Sequence, residues 1–121
     1  MDFRKFLTSS GKVVLGGKDA ETNEKIIKQV AKDETVLHTA KPGSPFVNIK
    51  GKANKEDIKE AAVFCAVYSQ AWKKAKIKKD VEVHAFLGND IFKLKDMKLG
   101  TFGVNKMKKI IVRKQEILEW K

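Results

Sequence analysis

Apolar residues alternate with polar ones in several short runs of this chain and recur at helical spacing in two longer ones. Phe3 to Leu7 and Lys12 to Leu15 are short apolar runs separated by Thr8-Ser9-Ser10-Gly11, the pattern of a hairpin with a glycine-containing loop. Gly16-Gly17-Lys18-Asp19 ends the second run. A helix follows, with Asp19 at or beside its N-cap, Glu21 and Glu24 in its first turn, and Ile26, Ile27, Val30 and Ala31 on its apolar face. Its end is predicted near Lys32-Asp33.

Glu34 to Val47 is the stretch around which the other patterns arrange themselves. A strand over Thr35–Ala40 delivers His38 into Lys41-Pro42-Gly43-Ser44-Pro45, and a second strand over Phe46–Lys50 leads away. Both prolines fall in this loop. Proline fixes φ near −65° and glycine accepts the positive φ that a type II turn needs next, so the loop is expected to be stiff. After the polar turn Gly51–Asn54, the pair Asn54 and Asp57 resembles a capping box that opens the longest helix, Lys55 to about Ala75. Ile58, Ala61, Ala62, Cys65, Ser69 and Trp72 share its apolar face, widened by Phe64, Val67 and Tyr68.

Val81 to Leu87 alternates Val, Val, Ala and Leu on one face with Glu82, His84 and Phe86 on the other. Gly88-Asn89-Asp90 reads as a turn into Ile91–Leu94, a second hairpin. Lys95 to Gly103 reads as a loop and Ile110–Val112 as a last strand, with Glu116 to Lys121 frayed or forming a short edge. Two helices and six or seven strands with hairpin-length connections predict an α+β fold, a single domain with a largely antiparallel or mixed sheet packed with the two helices.

Charge changes the picture of what such a fold is for. With 26 Lys and Arg against 15 Asp and Glu, the net charge of +11 favours polyanionic partners, nucleic acid before anionic membrane. The second half, from Trp72 on, holds +8 of it. One cysteine, Cys65, excludes an internal disulfide and a cysteine-based zinc cluster within one chain. No apolar run reaches the length of a membrane span, and the start lacks the apolar core of a signal peptide, so a soluble, cytoplasmic protein is expected.

The chemistry available is limited. His38 and His84 are the only histidines, and no carboxylates stand at metal-ligand spacing from them. His84 reads as an alternating strand residue; for His38, bracing the loop and contacting a ligand both fit. Ser44 has no Gly-x-Ser-x-Gly context, and Gly16-Gly17-Lys18 lacks the spacing of a phosphate loop, although it precedes a helix N-terminus. Cys65 reads as a packed side chain, and Trp120 as an edge-strand hydrophobe rather than a base-stacking ring. Lys73, Lys74, Lys76, Lys78 and Lys79 suit the end of a helix and make a phosphate contact credible.

Three blocks, taken in order, resemble the NFACT-R domain, a module of ribosome quality control factors of the NFACT type that is also found as a stand-alone protein. They are Phe6 to Gly11 with Gly16 to Glu24, then the His38 strand with Pro42-Gly43-Ser44, then Glu60-Ala61-Ala62 with Ala66 to Trp72. The similarity spans about residues 3 to 115. Where the family has Arg after Gly, this chain has Gly17-Lys18; the acid before the His motif is Glu34, and Val36-Leu37 replace an aromatic pair. Lys18 meets a phosphate as a point charge, without the two-pronged geometry of Arg.

The resemblance implies RNA binding near tRNA or the rRNA of the large ribosomal subunit, with no cofactor, no established catalysis and no membrane. The expected recognition corner holds Lys18, His38, Lys41 and Ser44, helped by Lys93, Lys95 and Lys98, with Lys106, Lys108 and Lys109 on phosphates. The tRNA-handling and coiled-coil parts of full-length NFACT proteins are not expected in this stretch, so on its own it should not elongate nascent chains. Lysine richness alone also fits a DNA-coating or architectural protein. An enzyme using His38 as general base would need a partner that the chain does not display.

Overall fold

Thr8–Gly11 closes the expected hairpin between β1 (Arg4–Leu7) and β2 (Val13–Gly16), with Gly11 at a φ of 87°. The chain continues through α1 (Ala20–Gln29), β3 (Thr35–Thr39), β4 (Val47–Ile49), α2 (Lys55–Val67), a four-residue α3 (Gln70–Lys73) and β5 (Val81–Leu87). It ends with the short strands β6 (Ile91–Phe92) and β7 (Gly103–Val104), then β8 (Lys108–Val112) and α4 (Lys114–Leu118). The computed structural model describes residues 3–120. Six strands form one sheet in the order β1-β2-β4-β3-β5-β8, and every pairing in it is antiparallel. The architecture is α+β, as the pattern predicts.

Strand alternation gives the sheet two different faces. Leu37, Val47, Val83, Ala85 and Val112 pack under α2, whose Ala61, Ala62, Cys65 and Ala66 let the helix lie close to the strands. On the other face Val36, Phe46 and Phe86 gather with Ile26 of α1 into a smaller cluster, and the β6–β7 ribbon adds Phe102 and Val104. A fully buried side chain such as Ile26 or Val36 contributes roughly 1.5–3 kcal/mol by leaving water. This second cluster covers only part of its face.

Four departures from the sequence pattern have local causes. The helix expected to run to about Ala75 breaks at Tyr68, because the Ser69 hydroxyl donates to the Ala66 carbonyl (2.7 Å) and accepts the Trp72 amide (3.2 Å), starting α3 afresh. The first helix stops at Gln29, short of Lys32-Asp33, where the Ala31 amide donates to Glu34 Oε1 (3.0 Å) instead of continuing the helix. The hairpin expected at Gly88-Asn89-Asp90 does not form. Those residues make a 3-10 turn whose amides donate to carbonyls of the α1–β3 loop, Gly88 to Glu34 (3.0 Å) and Asn89 to Lys32 (2.9 Å). Ile91–Phe92 then pairs with Gly103–Val104, two residues assigned by the pattern to a loop and its sequel. Finally, Glu116 and its neighbours form α4 rather than a frayed end or an edge strand, capped by Glu116 Oε1 accepting the Arg113 amide (2.8 Å). Trp120 packs edge-on against Phe6 at 5.1 Å, not in an edge strand, and Lys121 lies outside the described residues. The two expected helices are thus joined by two short ones.

Candidate nucleic-acid interface

The uncovered part of the second sheet face is the floor of a cleft of about 560 Å³. His38 and His84 stand on that floor, directly opposite one another in the β3–β5 register, with Lys109 opposite His84 on β8. Three walls rise around them: the Gly17-Lys18 turn before α1, the Pro42–Pro45 loop, and the segment from Gly100 to Val104. His38 stacks against Phe46 with ring centres 4.4 Å apart, and Phe46 meets Phe102 edge-on at 5.4 Å. The interior is therefore aromatic and its rim is cationic, with Lys18 and Lys73 both exposed there.

The Pro loop takes the turn its composition predicts and is tied down by hydrogen bonds. Gly43 takes a φ of 88°, and its carbonyl accepts the Gln70 amide (2.8 Å), tying the loop to the start of α3. The Ser44 hydroxyl accepts the Thr39 amide (3.0 Å) and donates to the Pro45 carbonyl (3.1 Å), so it is spent on holding the loop. The His38 ring donates from Nδ1 to the Thr39 carbonyl (2.8 Å), leaving Nε2 without a hydrogen-bond partner among the described residues. Burial pushes the His38 pKa below its ordinary 6.5, the Thr39 carbonyl opposes that, and the nearby His84 adds to it. At neutral pH His38 is an uncharged ring. His84 instead bonds Glu82 at 2.7 Å, and that bond, ahead of the charge of Lys109, holds the Glu82 carboxyl below its usual range.

The turn before α1 is no phosphate cradle. The Gly17 amide donates to the Phe46 carbonyl (3.1 Å), while the amides of Lys18 and Asp19 both donate to Thr22 Oγ1. Asp19 caps the helix with its own carboxylate, accepting the Thr22 amide (2.9 Å). Gly17 is needed for a packing reason: a Cβ there would fall on the Asn23 side-chain carbonyl, which accepts the Phe46 amide (2.9 Å). Glu24 Oε1 takes the Gly100 amide (2.7 Å) and Lys93 Nζ (3.1 Å), fastening the third wall to α1. Asn23 and Glu24 thus act as struts.

Of the residues expected on a recognition corner, Lys18, His38 and Ser44 line the cleft, and Lys109 lies beside His84 on the same sheet face. Lys41 is exposed on the Pro loop, where its carbonyl accepts the Thr39 hydroxyl (2.6 Å). Lys93 is held over the Phe102 ring at 4.5 Å and bonded to Glu24 and the Thr101 carbonyl, while Lys95 and Lys98 are exposed farther along the ribbon loop. Lys106 and Lys108 border a separate hollow of about 440 Å³ with Leu87 and Met107. Arg4, Tyr68 and Phe102 line the cleft beyond the expected corner, as does Lys73, which the sequence offered only within a lysine run at a helix end. Arg4 donates to the Gly17 carbonyl (2.8 Å) and lies over the Tyr68 ring at 4.3 Å, joining β1, the turn and the end of α2. The Tyr68-Ser69 pair and the lysine run after Trp72 were the available signals for this side.

Among the described residues, no three His, Cys, Asp or Glu side chains gather as metal ligands. No helix there is long and apolar enough to cross a membrane. Cys65 is buried and its thiol pushed up to about 12 by burial, consistent with a packing role.

Comparison with known proteins gives these struts and loops a family context. The chain is 44% identical over 73 residues to the archaeal Rqc2 homolog aRqcH of Methanocaldococcus jannaschii, covering 57% of this chain and 11% of that protein. It therefore spans only a small part of that relative's length. In fold it superimposes on the C-terminal part of the fibronectin/fibrinogen-binding protein of Streptococcus suis with a TM-score of 0.83 and 21% identity, over 100% of this chain and 49% of that one. The model of the NFACT protein RNA binding domain matches residues 2–106, which include all three cleft walls and the blocks that carry them, and the chain belongs to that family.

Proposed function

We propose that this chain binds RNA through the cleft face of its sheet, as one non-catalytic domain, acting in the cytoplasm with tRNA or the large ribosomal subunit during translation and ribosome quality control. One observation carries the reading: an aromatic-floored cleft with Lys18 and Lys73 at its mouth, on a chain of net charge +11 that belongs to an RNA-binding domain family. Aromatic rings offer stacking surfaces to bases, and the lysines draw and position phosphates. Similarity to the archaeal Rqc2 homolog supports the setting. His38 offers a buried, uncharged ring and His84 a ring paired with the Glu82 carboxylate.

Crosslinking the protein to RNA in cells and sequencing the attached fragments tests the assignment. Enrichment of tRNA or of a contiguous region of large-subunit rRNA is the expected result. A purified protein that bound duplex DNA as tightly as RNA in direct competition would move the assignment to a general nucleic-acid coat.

A further inference from the structure

We infer that the cleft holds an unpaired RNA base, so that the domain recognises single-stranded or looped-out nucleotides rather than the surface of an RNA duplex. The inference rests on the proposed RNA-binding function and specifies its ligand.

Three observations converge on it. The recess is a hollow of about 560 Å³, within the range of roughly 300–1,000 Å³ in which proteins seat small organic groups. An A-form duplex keeps its bases stacked inside and offers side chains a wide, shallow groove of hydroxyls and phosphates. A flat docking surface would suit that shape; a half-open recess with aromatic lining suits a ring that enters from outside.

The floor and wall are chemically suited to one. Phe46 is almost wholly buried and serves as backing for His38 at 4.4 Å, while His38 and Phe102 keep partial exposure to the cleft. His38 commits Nδ1 to the Thr39 carbonyl, and burial keeps the ring neutral, so Nε2 is a lone-pair acceptor for an N–H on a base edge. A permanently charged ring there would select phosphate instead.

The charges are arranged outside the recess. Lys18 and Lys73 approach the mouth from different sides, the turn before α1 and the end of α3, where a backbone entering and leaving the site would pass. Arg4 is already engaged with Gly17 and Tyr68 and serves to set the wall. A ring inside and phosphates at the rim is the complement of one extruded nucleotide and its two neighbours.

The test uses the full chain, a single-stranded RNA decamer carrying one 4-thiouridine, and the same decamer annealed to its complement. Fluorescence anisotropy is expected to show the single strand binding about tenfold or more tightly than the duplex, on the scale of one base–aromatic stack. Irradiation of the single-strand complex should attach the thiobase to the peptide containing Phe102 or to that containing His38. Phe102→Leu, which keeps the wall filled but removes the ring, should lower single-strand affinity about tenfold and so narrow the preference for single strand over duplex.

Equal affinity for both forms, or crosslinks confined to the β6–β7 loop tip or to α4, would overturn the base-in-cleft inference while leaving RNA binding intact. Absence of binding to either RNA form would overturn the proposed function itself. Thermal melts of Phe102→Leu confirm that its fold survives, and Lys73→Glu supplies an independent variant at the rim.

Discussion

His38 and His84 face one another across β3 and β5, yet they keep different company: His38 donates to a backbone carbonyl within its own strand, whereas His84 binds the Glu82 carboxylate. The burial that surrounds His38 lowers its pKa, so the folded chain binds fewer protons there than the unfolded chain does. Its contribution is complete above the ordinary value of 6.5 and is lost as pH falls below it, levelling off beneath the folded pKa. Glu24, Glu34 and Glu116 are held below the ordinary 4.5, so their share is lost only at lower pH. Between pH 7.5 and 5 the wild type should lose more melting temperature than His38→Gln. Parallel curves for the two proteins would contradict the buried neutral ring.

Gly17→Ala should destabilise the domain by about 2 kcal/mol, because the new Cβ displaces the Asn23 side chain from the Phe46 amide. The same bond is absent in Asn23→Ala. A double-mutant cycle read by urea denaturation should therefore show the two losses to be less than additive.

Ser69→Ala removes both bonds that restart the helix after Tyr68 and should cost about 1 kcal/mol. Amide exchange should rise first at Trp72 and its neighbours in α3. Because Gln70 also ties α3 to the Pro loop through Gly43, the loop should exchange faster as well.

Glu24→Ala unfastens the third cleft wall from α1. The Gly100 amide, now bonded to that carboxylate, should exchange about tenfold faster, while the β3–β5 amides stay protected. Unchanged exchange at Gly100 would mean that Lys93 and the Phe102 packing suffice to hold the wall.

Lys18→Glu and Lys73→Glu should each weaken RNA binding and reduce the slope of log affinity against log salt by about 0.7–0.9 for each phosphate contact removed. Lys41→Glu and Lys98→Glu, on exposed positions beyond the cleft lining, measure how far the electrostatic footprint extends. Salt-insensitive binding of the wild type would remove the electrostatic account.

Much of this protein is legible along the chain because it depends on neighbours in sequence. Alternation marked β5, the Thr8–Gly11 turn marked the first hairpin, Asp19 and Asn54 marked two helix starts, and Pro42-Gly43 marked a tight turn. Each rests on backbone conformation or capping within a few residues. The resemblance of three blocks likewise pointed to the family, and the matched residues 2–106 establish it.

What tertiary structure decided is where the chain finds partners far away. Glu34 ends α1 and Gly88 docks onto the loop that follows it, so the chain leaves β5 for a separate ribbon instead of folding back as a hairpin. The Ser69 break, by contrast, is local, made with Ala66 and Trp72 three residues away on either side, and was masked by an apolar face that runs on without interruption. The cleft itself is assembled from six separate parts of the chain, which is why Arg4 and Phe102 had no signature beside His38 and Lys73 had only that of a lysine run. Period and capping are local properties; the pairing of strands and the meeting of walls are set by burial and hydrogen bonds between segments that sequence distance does not order.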